Sequence, residues 1–410
     1  MFDAALAIKG IIADLVSDLY GVEDFEVPLE PTRDLERGDL STTAAMRLAR
    51  AARKAPPAIA SELAAALSEA AAADEGLAGA VERVETAGGF MNIRFARSFW
   101  AALLGRIAAE GERYGRLPSR GERAQVEFVS ANPTGPLTVA HGRQAAIGDT
   151  LARILSFAGW DVEREYYLND TGNQIRMLGL SVYLRLRELK GEAVELCENC
   201  YRGEYVMELA RKADSLFGRE LEEMDEAEAV ARLGRFACDE MLEWIKADLE
   251  RMRVRFDGYF SQEEMERSGA VDELMREFRA KGLVYERDGA VWLKTSAFGD
   301  AEDRVLVKAD GSYTYRTPDM AYHADKFRRG YARMLVLLGP DHHAHTSTMK
   351  AGLKALGFDS SKLEYLLVQH CTLYEGEKQL RMSTRQGTFV TLGEVMDAVG
   401  VDATRFFFLN

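Results

Sequence analysis

Residues 126–143 read VEFVSANPTGPLTVAHGR, and the order of residue types in this stretch decides the fold. Val126 to Val129 is a short apolar run of strand character, and Asn132-Pro-Thr-Gly-Pro136 is a turn-forming loop. The loop delivers His141 to the start of a helix whose apolar residues Ile147, Leu151, Ile154, Leu155 and Ala158 recur at helical spacing and predict one buried face. Strand, glycine loop and helix N-terminus together are how α/β proteins present backbone N–H groups and a positive dipole end to a phosphate. A generic strand–turn–helix with a capping histidine has the same outline, so this one loop does not decide function.

At 410 residues the chain is expected to hold two or three domains, and 47% hydrophobic residues suffice for their cores. A net charge of −14 argues against coating nucleic acid by bulk electrostatics, though not against a local basic surface. No apolar run approaches the length of a membrane span. Lys9, Asp3 and Asp14 mark the N-terminus as an amphipathic helix, not a signal peptide. Four cysteines give no disulfide framework, so a reduced, cytoplasmic setting is expected.

Residues 1–117 are expected to form a separate N-terminal α+β domain. Its parts are an opening helix (Phe2 to Tyr20), an Ala-rich helical middle (Ala44 to Ala73), a strand near Gly89 to Phe95 and a helix carrying Trp100, Leu103, Leu104 and Ile107. Pro118-Ser119-Arg120-Gly121 is a linker. Residues 118–410 turn α/β. Strands are expected at Val162 to Tyr167, Val291 to Leu293, Arg304 to Val307, Met334 to Leu338 and Glu364 to Val368, and strands separated by helices imply a parallel sheet. A charged helical block at about 180–282 interrupts it as an insertion. The chain closes on Arg405-Phe406-Phe407-Phe408-Leu409-Asn410, an apolar ending that suggests more chain was meant to follow.

Three further clusters carry chemistry. Arg381-Met382-Ser383-Thr384-Arg385 puts cations on a glycine-flanked loop, which suits closure over a triphosphate, although a solvated turn has the same composition. Asp341-His342-His343-Ala344-His345 follows a strand and the Gly339-Pro340 turn, and three histidines with an aspartate also fit a metal-ligand set. Tyr315 and Asp319 lie one helical turn apart, and a phenol oxygen with a carboxylate suits a planar guanidinium; an N-capping Asp beside a packed Tyr is the plainer alternative. Cys197 and Cys200 lack two further zinc ligands nearby, with Cys238 a distant third, and are read as two thiols.

Across nearly its whole length the chain resembles the arginyl-tRNA synthetases, class I enzymes. The resemblance rests on residues 126–143, on Asn169-Asp170-Thr171-Gly172-Asn173-Gln174, on Gly89 to Ile93, on Tyr315 to Asp319, on Gly339 to His343 and on the 381–385 loop. It implies a class I Rossmann-type parallel-sheet catalytic domain, an N-terminal domain that contacts the D-loop side of tRNA, and a ligase using ATP with Mg2+, arginine and tRNA. It places the nucleotide at Gly135, Ala140, His141, Gly339, Asp341, His343 and Met382, the substrate amino group at Asn132, and its guanidinium at Tyr315 and Asp319. It gives Thr138, His141, Arg381, Ser383 and Arg385 to charge stabilisation at the phosphates, and it implies no resident metal.

The chain departs from the family pattern at identifiable places. The family's His-x-Gly-His reads Thr138-Val139-Ala140-His141, its two loop lysines are Arg381 and Thr384, and Gln262 stands where a glutamate faces the guanidinium, with Glu263 beside it. The family's C-terminal anticodon-binding domain has no counterpart before Asn410. Two expectations therefore compete: an arginine–tRNA ligase truncated after its catalytic domain, and a weakly active or non-catalytic paralogue that binds nucleotide, tRNA or a partner protein.

Overall fold

The computed structural model describes residues 2–32, 34–340, 343–369, 371, 373–375, 378–380 and 389–410; at 2, 3, 35, 343, 344, 373–375 and 378–380 it describes the backbone alone. The chain divides into two compact units, Met1–Gly115 and Arg116–Asn410.

In the first unit, helix α1 (Phe2–Tyr20) buries Ile8, Ile12 and Val16, one turn apart, against α3 (Pro56–Ala73), which answers with Ile59, Leu63 and Leu67. Strands β1 (Leu29–Pro31), β2 (Leu40–Thr42), β3 (Val81–Ala87) and β4 (Phe90–Phe95) form an antiparallel sheet in the order β1-β2-β4-β3. In β4 the alternation Met91, Ile93, Phe95 faces the core. The β3–β4 hairpin turns on Gly88 and Gly89, both at positive φ (55° and 95°), a conformation that two-residue hairpin turns demand and glycine supplies without strain. The Ala-rich stretch is helical as expected, in two helices, α2 (Ala44–Ala52) and α3. Arg53 is left-handed, and Pro56-Pro57 has no N–H with which to continue a helix but fits a helix's first turn. Helix α4 (Arg97–Glu110) follows.

The second unit is built on a five-stranded, wholly parallel sheet of β5 (Arg123–Glu127), β6 (Asp161–Leu168), β7 (Gly258–Ser261), β11 (Arg333–Leu338) and β12 (Leu363–Leu367), in the order β12-β11-β5-β6-β7. The chain runs β5, β6, β7 to one side and returns as β11, β12 on the other. The strand order therefore reverses between β5 and β11, and open α/β sheets bind ligands at that crevice. Helix α5 (Val139–Phe157) packs on the sheet through Ala145, Ala146, Gly148, Ala152 and Leu155. A Cβ at Gly148 would stand 2.2 Å from the Phe128 ring, so the close helix–strand approach needs glycine there. Ile154, expected on the buried face, is exposed, because the small residues turn the inward stripe away from it.

Helices α6 (Asn173–Leu189), α7 (Glu204–Glu223) and α8 (Glu226–Arg251) share a core of Leu178, Val182, Leu209, Leu233 and Met241, and Ile245 and Leu249 of α8 belong to the sheet's core. The block expected to be helical over about 180–282 is interrupted. Its residues 258–261 are edge strand β7, too short to announce itself, before α9 (Gln262–Arg267) and α10 (Ala270–Ala280). Val291 to Leu293 and Arg304 to Val307 are strands, but not of the parallel sheet. With β8 (Val284–Arg287), strands β9 (Ala290–Leu293) and β10 (Arg304–Val307) make a separate antiparallel sheet, as a short Asp288-Gly289 turn allows. Helix α11 (Arg316–Arg328) precedes β11, and α12 (His343–Leu356) lies between β11 and β12. Strands β13 (Leu373–Glu375) and β14 (Lys378–Leu380) pair with each other, and α13 (Leu392–Val399) and α14 (Val401–Leu409) follow. Among the described residues no helix is long and apolar enough to cross a membrane.

Cys197 and Cys200, expected as thiols, are joined in a disulfide. The turn closed by the Cys200 N–H to the Cys197 carbonyl brings the two Cα atoms to 5.1 Å, within bridging range.

Candidate active site

A cavity of about 520 Å³ opens at the carboxyl ends of β5, β6, β11 and β12, at the reversal of strand order. Its first wall is the loop after β5. Val129 and Ser130 both hold positive φ (67° and 40°), a strain of about 1–3 kcal/mol each for residues with a Cβ. Neighbours fix that shape: the Tyr166 hydroxyl donates to the Ala131 carbonyl at 2.7 Å, and the Tyr167 N–H donates to Ser130 Oγ at 3.1 Å. Asn132 follows. Its Nδ2 donates to Gln174 Oε1 at 2.7 Å, which among the described residues leaves Oδ1 as the acceptor open to a ligand.

The second wall is the N-terminus of α5, where Ala140, His141 and Gln144 line the cavity. His141 Nδ1 accepts the Thr138 N–H at 3.1 Å, and burial pushes the imidazole pKa down to about 4. The ring is therefore neutral near pH 7 with its proton on Nε2, a donor and not a cation. Thr138 is buried, its hydroxyl 3.2 Å from His141 Nδ1, and it does not line the cavity. Gly135 also stands apart: a Cβ there would meet the Tyr205 hydroxyl at 3.1 Å, and that hydroxyl donates to the Thr134 carbonyl at 2.8 Å. Leu392 N–H donates to the Leu137 carbonyl at 2.7 Å and Thr391 bridges Thr138, which fastens the residues after the 381–388 stretch beside this wall.

The third wall is α11. Tyr315, Asp319 and His323 succeed one another at one-turn intervals, and all three line the cavity. Two histidines engage the Asp319 carboxylate: His323 Nδ1 lies 3.1 Å from Oδ1, and His345 Nε2 meets Oδ2. Burial alone would raise this carboxyl. The two imidazoles outweigh it and hold the group well below the ordinary carboxylate range, so it is ionised. The Tyr315 ring packs 5.5 Å from that of His345, with the Arg316 guanidinium 4.7 Å over it, and the residue is largely exposed. Next to His323 in the chain, the Tyr322 hydroxyl donates to Glu165 at 2.7 Å and lies 3.1 Å from Glu127, and Lys326, one turn on, pairs with Glu127, which pins α11 to β5 and β6.

Gln262, at the start of α9, closes the floor: its Oε1 accepts the Tyr167 hydroxyl at 2.9 Å, and its Nε2 donates to Glu266 at 2.7 Å. Glu263 does not substitute for a carboxylate here. It pairs with Arg235 and lines a separate cavity with Asp170 and Arg176.

Of the residues singled out in the sequence, Asn132, Ala140, His141, Gln262, Tyr315, Asp319 and Gly339 thus line one cavity. Asp341, Arg381, Met382, Ser383 and Arg385, and the side chain of His343, lie outside the described residues. Sequence reasoning missed Tyr167, His323, Tyr365 and Gln369, and it read His345 only as a metal candidate. The i+4 step from Asp319 made His323 findable. Among the described residues no group of three or more His, Cys, Asp or Glu side chains is placed to hold a metal ion.

Comparison with known proteins follows the same division. Residues 105–406 match the family model of the catalytic domain of class I tRNA synthetases (R), and residues 6–95 match that of the arginyl tRNA synthetase N terminal domain. An arginine–tRNA ligase of Solidesulfovibrio magneticus is 48% identical over 410 residues, covering 99% of this chain and 73% of that protein. One of Desulfosudis oleivorans is 45% identical over 387 residues, covering 94% and 68%. The solved Thermus thermophilus arginyl-tRNA synthetase superposes with a TM-score of 0.66 at 21% identity over 99% of this chain and 74% of that one, a likeness of fold.

Proposed function

The chain belongs to the class I arginyl-tRNA synthetase family, and on that premise we propose that it is an arginine–tRNA ligase. One observation carries the reading: Asn132, His141, Tyr315 and Asp319, far apart in sequence, converge on a single cavity at the switch point of a parallel sheet.

The reaction has two steps. The arginine carboxylate attacks the α-phosphorus of ATP, supplied as its Mg2+ complex, and pyrophosphate leaves. A ribose hydroxyl at the tRNA 3′ end then takes the arginyl group from the adenylate, and AMP leaves. No enzyme nucleophile is required, so catalysis is positioning and charge stabilisation. Asn132 Oδ1 accepts from the substrate ammonium, while the ionised Asp319 and the Tyr315 phenol face the guanidinium. His141 donates from Nε2 to the phosphates at the α5 N-terminus, where the helix dipole adds to it. Gly339 and Ala140 border the nucleoside, and Asp341, His343 and Met382 are assigned there too. Arg381, Ser383 and Arg385 cover the departing pyrophosphate. Residues 1–117 contact the D-loop side of tRNA, and residues 118–410 carry the chemistry. The cytoplasm, where ATP and uncharged tRNA meet, is the setting.

The test is ATP–pyrophosphate exchange and tRNA aminoacylation over a panel of amino acids, with the Asp319→Ala variant alongside. Removing one member of a buried charge-assisted pair costs about 2–5 kcal/mol, so that variant should bind arginine at least about tenfold more weakly. A second reading, a weakly active paralogue, is favoured by Thr138, Ala140 and Gln262. Exchange that is absent with arginine, or faster with another amino acid, decides against the ligase assignment.

A further inference from the structure

His323 holds a nitrogen that nothing in the known site accounts for. The residue is 4% exposed and lines the cavity. Its Nδ1 lies 2.9 Å from the Asp319 main-chain carbonyl and 3.1 Å from Asp319 Oδ1. Both neighbours are acceptors, so the Nδ1 proton faces Asp319, and Nε2 is the nitrogen left to a ligand, an acceptor whenever the ring carries one proton. Nε2 is buried without a hydrogen-bond partner among the described residues. The Tyr365 hydroxyl, on β12, is buried and unpartnered in the same way, its ring 5.9 Å from that of His323. Two unsatisfied polar atoms on neighbouring rings of one cavity mark a subsite for a ligand that donates hydrogen bonds.

We propose that His323 is a specificity-determining residue of the amino-acid subsite, its Nε2 accepting a hydrogen bond from a terminal N–H of the substrate guanidinium, with the Tyr365 oxygen as the next acceptor. The proposal rests on the arginine reading. A guanidinium offers five donors and no acceptor. Asp319 has both carboxylate oxygens already engaged by imidazoles, and the amide Gln262 offers no charge. Further neutral acceptors are what such a pocket needs, and Asp319 supplies this one by fixing the His323 tautomer. A lysine ammonium is compact and shorter in reach, and it gains less from acceptors spread across the pocket floor.

The experiment is calorimetric titration of arginine and, separately, of ATP into wild-type protein, His323→Phe and His323→Gln. Phe keeps a ring and removes the acceptor, whereas Gln keeps an acceptor. Removing an acceptor for a charged donor is expected to raise the arginine dissociation constant about tenfold or more in His323→Phe, with His323→Gln recovering much of it and ATP affinity unchanged in both. An arginine affinity in His323→Phe close to wild type overturns the proposal alone. A parallel loss of arginine and ATP binding in both variants overturns it too, because the side chain would then be structural. Wild-type protein that binds another amino acid in preference to arginine overturns the arginine reading itself, and this proposal with it.

Discussion

His141 Nδ1 accepts the main-chain N–H of Thr138, three residues before it, at 3.1 Å. The contact caps α5 and fixes the imidazole as the Nε2–H tautomer, and burial lowers its pKa to about 4 from an ordinary 6.5. Any contribution to phosphate binding is therefore made by a neutral donor. Between those two pKa values the unfolded chain binds a proton that the folded chain refuses. The stability held by the neutral ring is complete above about pH 6.5 and is lost as pH falls through that window towards 4. The His141 imidazole should titrate near pH 4 by NMR, and His141→Ala should weaken ATP binding by about 1.5–3 kcal/mol, a hydrogen bond to a charged group. A His141 midpoint near the ordinary value would show that the ring is not desolvated and that a neutral donor is not what meets the phosphates.

Gln262 sits between Tyr167, whose hydroxyl it accepts at 2.9 Å, and Glu266, to which its amide donates at 2.7 Å. Gln262→Glu alone would set carboxylate against carboxylate. Paired with Glu266→Gln, the donor moves to position 266 and position 262 gains the charge. The double variant should bind arginine about tenfold more tightly, the scale of a hydrogen bond to a charged group, and the single variant should gain less. Equal arginine dissociation constants for wild type and double variant would show that position 262 does not face the guanidinium.

The switch-point sheet is legible in the amino-acid order. It follows from the strand–loop–helix of residues 126–143 and from strands spaced by helices, among which the apolar run of Met334 to Leu338 is what a strand buried on both faces needs. Tyr315 and Asp319 are legible because helical spacing is local. Strand β7 is not: four residues, Gly258–Ser261, carry no period, and only the neighbouring edge of β6 makes them a strand. Tyr365 is not legible either, since its place opposite His323 depends on α11 and β12 meeting across the cavity. The disengagement of Glu263 depends on Arg235, a partner on another helix that no local pattern names.

Lys326 is fully buried and its ammonium pairs with Glu127, itself buried at the cavity edge. Removing one partner of such a pair strands the other charge, so Lys326→Met should destabilise the Arg116–Asn410 unit by about 3–5 kcal/mol in chemical denaturation. Adding Glu127→Gln removes the stranded charge and should recover part of the loss. A shift in Lys326→Met below about 1 kcal/mol, the scale of an exposed pair, would mean that water reaches Glu127.

Thr138 and Ala140 bear on rate. Thr138 spends its hydroxyl beside His141 Nδ1 and its backbone on the bridge to Thr391, and it presents nothing to the cavity. A histidine there would keep the backbone bridge and extend a second ring from the cap towards the phosphates. It would sacrifice a threonine N-cap, at about 1 kcal/mol of stability. Ala140 lines the cavity, and its methyl occupies room that a glycine would leave open. One preorganised donor aimed at charge developing in a transition state is typically worth about 10²–10³ in rate. Adenylation by this chain should accordingly be slow, and Thr138→His with Ala140→Gly should accelerate it by about tenfold or more, a discounted share of that range because neither position was shaped for the new ring. Ala140→Gly alone should improve ATP affinity and leave the rate at saturating ATP nearly unchanged, since room in the ground state is not transition-state stabilisation. The measurement is pyrophosphate exchange on the three proteins with arginine, ATP and tRNA present. A wild-type rate already matching the double variant would show that His141 and the α5 N-terminus suffice without a second histidine.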